Sequence, residues 1–115
     1  MSSVERPWGF YESIHALEDH QVKFIRVEAG QRLSYQKHRF RAEHWFILSG
    51  KAEVTINGVQ HILQRGNSID IPVGALHRIE ALLEPVTFIE VQTGSYLGED
   101  DIERLDDDYG RADES

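Results

Sequence analysis

From Phe10 to Thr93 the chain is broken every few residues by a Gly, a Pro or a polar turn, and no helical period survives between the breaks. Segments this short satisfy their backbone polar groups only by pairing with one another, which confines the chain to a sheet-built fold. The runs read as strands over Phe10 to Ile14, Val22 to Val27, Arg32 to His38, His44 to Ser49, Lys51 to Ile56 and Val59 to Leu63. Ser68 to Ile71, His77 to Leu82 and Val86 to Thr93 complete the set. Asn57-Gly58 between two of them is the signature of a type I′ hairpin. Phe46-Ile47-Leu48 is apolar on both faces, so the strand carrying it is expected to be central and buried. Short strands of this kind imply a small antiparallel barrel or jelly roll. Glu99 to Leu105 is expected to form a helical turn or two, with Asp100 and Asp101 favourable at its start. Residues 1–111 are expected to form one domain and 112–115 a frayed tail.

Two stretches carry the residues with chemistry, Gly30 to Gly50 (GQRLSYQKHRFRAEHWFILSG) and Gly66 to His77 (GNSIDIPVGALH). Gln36 and His38 are two apart on a strand and therefore share a face. Glu43 begins an otherwise apolar strand, where a carboxylate needs a partner. His77 follows a Pro72-Val73-Gly74 turn. A Gln, two His and a Glu can close on one divalent metal, because imidazole nitrogen and carboxylate oxygen are ordinary ligands of first-row ions. His44, next to Glu43, faces the opposite side of its strand and is read as packing; Trp45 is read as a wall of the cup.

These stretches resemble the paired motifs of the cupin superfamily. In the first, Gly30, five residues, Gln36-Lys37-His38, four residues, Glu43, six residues and Gly50 fit the usual spacing, with Gln36 where the motif has its first His. In the second, Gly66, Pro72, Gly74 and His77 fit, and Ala81 stands in the place of the usual Asn. A narrower resemblance, to the C-terminal cupin domain of type II mannose-6-phosphate isomerases, runs along nearly the whole chain. It rests on Arg6-Pro7-Trp8-Gly9, Arg41-x-Glu43-His44-Trp45, Ile71-Pro72-x-Gly74-x-x-His77 and Tyr96-Leu97-Gly98-Glu99-Asp100-Asp101-Ile102. Phe40 stands where many relatives carry a His, and Phe24 where a basic residue is common.

The resemblance implies an all-β double-stranded β-helix with a short C-terminal extension. It also implies one divalent metal ion on Gln36, His38, Glu43 and His77, with zinc expected first and manganese, iron, cobalt or nickel as alternatives. The implied reaction is interconversion of mannose 6-phosphate and fructose 6-phosphate. Lys23, Glu90 and Gln92 are polar residues on otherwise apolar strands and would point into the cup if they face inward. Glu90 and Lys23 are the candidates for moving the proton. Arg41, with Gln92, Lys37 and Arg111, is the candidate set for holding a hexose phosphate through charge-assisted hydrogen bonds. Two other classes remain open on the same scaffold: a metal-dependent dioxygenase, decarboxylase or epimerase, and a non-catalytic sugar-phosphate binder.

Charge narrows the partners. The formal net charge is −8, which opposes a general nucleic-acid binder. Acidic residues crowd Glu99 to Glu114, whereas Lys37, Arg39 and Arg41 flank the metal motif and offer a locally basic mouth. There is no Cys, so disulfides and thiolate ligands are excluded. No run of residues has the roughly 18 apolar positions of a membrane span, and with no signal-peptide pattern at the start the cytoplasm is the expected compartment. Apolar residues on both faces of several strands lead to the expectation of a homodimer formed by sheet packing.

Overall fold

The computed structural model of the chain describes residues 3–110. The expected tail at 112–115 and Arg111 lie outside the described residues. Among the described residues, eleven strands form two antiparallel sheets. They are β1 (Ser3–Arg6), β2 (Gly9–Ala16), β3 (His20–Val27), β4 (Tyr35–Lys37), β5 (Arg41–Ser49) and β6 (Lys51–Ile56), followed by β7 (Val59–Gln64), β8 (Ser68–Ile71), β9 (His77–Ala81), β10 (Val86–Gly94) and β11 (Glu103–Asp106). One sheet has the order β1-β2-β3-β10-β5-β8, the other β11-β4-β9-β6-β7. The chain passes back and forth between the sheets, which produces the expected jelly roll. Among the described residues there is no helix, hence none long and apolar enough to cross a membrane.

The alternation of side chains along each strand sends one set inward. On β3, Lys23, Ile25 and Val27 are buried; on β10, Val86, Phe88, Glu90 and Gln92; on β5, Arg41, Glu43, Trp45 and Ile47. Val27, Ile47, Ala52, Val54, Ile79, Ala81, Val86 and Phe88 are completely excluded from solvent and form the apolar floor between the sheets. Two turns depend on special backbone. Asn57 and Gly58 both take positive φ, 48° and 82°, as a type I′ hairpin requires. Gly9 has φ 153°, and a Cβ there would stand 2.0 Å from the Arg26 carbonyl oxygen, so only glycine lets β2 approach β3.

Three expectations are corrected and one strand is added. Glu99 to Leu105 is not helical: Glu103–Asp106 forms β11 on the edge of β4. Lys37 faces Glu103 at 3.6 Å, Arg78 holds Asp106 at 3.2 Å, and Arg32 holds Asp108 through two hydrogen bonds of 2.7 and 2.8 Å. A free strand edge and three cations outweigh the local helical preference. The strand read over Arg32 to His38 shrinks to Tyr35–Lys37, with Arg32 keeping one bridge to Glu80. β1 was not expected; it pairs with β2 across the Pro7-Trp8 turn. Finally, β5 is internal to its sheet but only one of its faces is core, and Phe46 is 42% exposed on the other.

Candidate metal centre

Neighbouring strands set the site by register. Gln36 on β4 lies opposite His77 on β9. On the facing sheet, Glu43 lies opposite Gln92, and the next inward row runs Lys23, Glu90, Trp45 across β3, β10 and β5. His38 follows β4 directly. The ligating atoms of His38, Glu43 and His77 all fall within 4.8 Å of one another, and all three residues are buried. His38 Nε2 is 3.1 Å from Glu43 Oε2, and His77 Nε2 is 3.8 Å from Glu43 Oε1.

The outer atoms of these side chains are occupied in a way that aims the inner ones. His38 Nδ1 lies 2.7 Å from the main-chain oxygen of Asp101, and His77 Nδ1 lies 2.9 Å from that of Ala75. A carbonyl can only accept, so each ring carries its hydrogen on Nδ1 and presents an Nε2 lone pair to the cluster. Gln36 donates its amide hydrogens to the Ser34 hydroxyl at 3.1 Å and main-chain oxygen at 3.3 Å, which leaves Oε1 available as a ligand. Two neutral imidazoles, a carboxylate and an amide oxygen, each held by its own partner, fit a divalent first-row ion.

The electrostatics agree. Burial is the largest influence on Glu43 and pushes its pKa up, but the polar groups packed around it, with the Arg41 guanidinium the standing positive charge among them, hold it well below the usual carboxylate range. Burial pushes His77 down against the attraction of Glu43, keeping the ring neutral. Arg41 donates from Nε to Glu43 Oε2 at 2.8 Å and reaches Glu99 at 3.5 Å, so its guanidinium sits over the carboxylate. Glu90 behaves oppositely: burial and then the charge of Glu43 push its pKa up to about 8. Its two oxygens accept hydrogen bonds from Gln92 and, at 3.2 Å, from Trp45. Trp45 Nε1 also donates to Glu43 at 3.0 Å, so the cup wall carries a hydrogen that bridges the two carboxylates.

Above these groups lies a cavity of about 100 Å³, room for several waters. Gln36, Glu43 and His77 line it with Lys23, Arg41, Glu90 and Gln92. Lys37 is not brought to the cup, because β4 alternation turns it outward between Gln36 and His38. Arg39 is exposed as well. His44 points outward, as expected, and bonds Asp70. Sequence reading missed Arg6, Tyr11, Ser34, Glu99 and Arg104 in the lining. Glu99 closes on Lys23 at 2.5 Å, and Lys23 Nζ lies 4.3 Å from the Tyr11 ring centre. Tyr11 could have been suspected from its alternation within Phe10 to Ile14; Glu99 stands in the Tyr96 to Ile102 motif, but in the link between β10 and β11 no strand alternation aims it at the cup.

Comparison with known proteins fits this construction. Mannose-1-phosphate guanylyltransferase ManC of Salmonella typhimurium is 52% identical over 109 residues, covering 94% of this chain and 23% of that protein. Alginate biosynthesis protein AlgA of Pseudomonas aeruginosa is 50% identical over the same shares. The chain thus spans less than a quarter of the length of these curated relatives. Among solved structures, the capsular polysaccharide assembling protein CapF of Staphylococcus aureus superposes with a TM-score of 0.80 at 19% identity, over 91% of this chain and 34% of that one. Oxalate decarboxylase of Bacillus subtilis gives 0.78 at 23%, over 90% and 30%. At such identities the likeness is one of fold, the cupin double-stranded β-helix. The family model described as "Mannose-6-phosphate isomerase C-terminal" matches residues 1–107, and the chain belongs to that family.

Proposed function

We propose that this chain interconverts mannose 6-phosphate and fructose 6-phosphate by moving a proton between C1 and C2 through a cis-enediol. The observation that carries the reading is the convergence of His38, Glu43 and His77, with Gln36 beside them, under a cavity that also holds Glu90. A divalent ion on those four residues, zinc first, would supply a positive charge for the oxyanion that develops as the proton leaves carbon. The chain's own residues do the rest. Glu90, with a pKa near 8, can take up and release a proton near neutral pH. Lys23, its cross-strand neighbour, holds a positive charge beside that carboxylate. Gln92 orients Glu90. Arg41 reaches the cavity from beside Glu43 and is the cation we assign to the phosphate end of the sugar, in place of Lys37.

Relatives named for alginate and xanthan biosynthesis support a role for such a reaction in the supply of polysaccharide precursors, and we assign it to the cytoplasm. The outer row Phe24, Ile89, Phe46 supports a homodimer through the six-stranded sheet. The deciding experiment is a coupled assay for fructose 6-phosphate formation from mannose 6-phosphate, run before and after chelation and with His77→Ala. Turnover that chelation abolishes, metal restores and the variant lacks is the expected result. Metal binding without turnover would move the function to another substrate.

A further inference from the structure

The Gly98-Glu99-Asp100-Asp101 segment lies outside the barrel strands, yet it touches the proposed centre. Asp101 is buried, 7% exposed, although an aspartate in a connecting segment normally keeps its charge in water. Both of its carboxylate oxygens are used: Oδ1 accepts from the Arg39 main-chain N–H at 2.8 Å and Oδ2 from that of Phe40 at 2.9 Å. Its own main-chain oxygen is the acceptor for His38 Nδ1. One residue therefore grips the chain immediately after His38 with its side chain and the His38 ring with its backbone.

We propose that Asp101 is a positioning residue of the metal centre, its carboxylate docking the C-terminal segment so that its carbonyl fixes the tautomer and direction of His38. The inference rests on the metal reading above and extends it to a segment that contributes no ligand. The mechanism is geometric. Without the two N–H bonds the carbonyl is no longer held at the ring, His38 can rotate or carry its hydrogen on Nε2, and the ligating lone pair is lost. Partners of this kind typically contribute about 10–100-fold in metal affinity. The same segment is tied down a few residues later by Asp108 on Arg32, a contact far from His38 in function. Asp108 therefore separates a general anchoring effect from a specific one.

The test uses the full chain and zinc or cobalt(II), with affinity read by competition against a chromophoric chelator. Asp101→Ala is expected to weaken binding about 10–100-fold, Asp101→Asn to fall between it and the wild type, and Asp108→Ala to match the wild type. In the zinc-loaded protein, NMR should show a slowly exchanging His38 Nδ1 hydrogen that Asp101→Ala loses, a signal that a purely structural role would not move. If Asp101→Ala fails to fold, Asp101→Asn carries both readings. Wild-type affinity and an intact Nδ1 signal in the folded Asp101 variants, or an equal loss with Asp108→Ala, overturns the proposal while leaving a centre that His77→Ala still destroys. A wild-type chain with no affinity for either ion overturns the metal reading and this inference together.

Discussion

The two ends of the barrel interior are built from the same strands and differ in almost every other respect. Going along β3 from Val27 through Ile25 to Lys23, along β10 from Phe88 to Glu90 and Gln92, and along β5 from Ile47 to Glu43 and Arg41, each strand turns from apolar to charged within a few residues. The apolar end excludes solvent by packing. At the polar end, burial is matched residue by residue with hydrogen bonds: Glu43 to Arg41 and Trp45, Glu90 to Trp45 and Gln92, Gln36 to Ser34. Stability should therefore reside chiefly at one end and chemistry at the other, since a buried polar cluster gains little over an apolar one of the same shape.

That division can be broken at either end. Phe88→Ala, at the floor, should cost about 3–5 kcal/mol of stability by denaturant melting, with no dependence on metal in the loss. A small loss would mean that the floor is not the main anchor. His77→Ala, at the mouth, should lower metal affinity by at least about a hundredfold, more than a supporting partner contributes, while leaving metal-free melting close to the wild type. A collapse of the metal-free protein would show that the mouth is structural too.

Glu90 sharpens the comparison through pH. Its folded pKa of about 8 lies above the ordinary 4.5, so the folded state holds the proton more tightly than the unfolded chain. As pH rises from 4.5 the unfolded chain ionises first and stability from this group is lost, until the loss levels off near 8. Relative to Glu90→Gln, the metal-free wild type should therefore lose several degrees of melting temperature between pH 5 and 8. Parallel curves would remove Glu90 from its assigned state. The smallest effect is expected on the outside: Phe46→Asp should change monomer stability by no more than roughly 0.5 kcal/mol but shift sedimentation from dimer to monomer. A wild-type chain that sediments as a monomer would end the dimer expectation.

Most of the strand pattern was legible because Gly, Pro and alternation are local signals. The type I′ turn at Asn57-Gly58 and the limits of β6, β8 and β10 agree with the reading to within a residue. The ligand candidates were legible because their spacing fixes which face they occupy. What escaped were features decided by partners distant in sequence. β11 exists because β4 leaves an edge beside Lys37, Arg78 and Arg32. Lys37 looked like a mouth residue because it stands between two ligand candidates, although alternation alone would have turned it outward. Glu99 and Asp101 belong to the site through contacts with Lys23 and His38, some sixty or more positions away, which no local pattern encodes.

The place of β10 between β3 and β5 also sets a timetable for the protein's birth. Until Val86 and the residues after it leave the ribosome, the six-stranded sheet is two unconnected pieces, β1-β2-β3 and β5-β8, each with a bare edge. At about 5–20 residues per second, the edge of β3 waits roughly 3–12 s for its partner. During that time Phe24 and Phe46 flank open strand edges, the combination most prone to pairing with another chain. The same late strand carries Glu90 and Gln92, so the cup becomes complete in the step that seals the sheet.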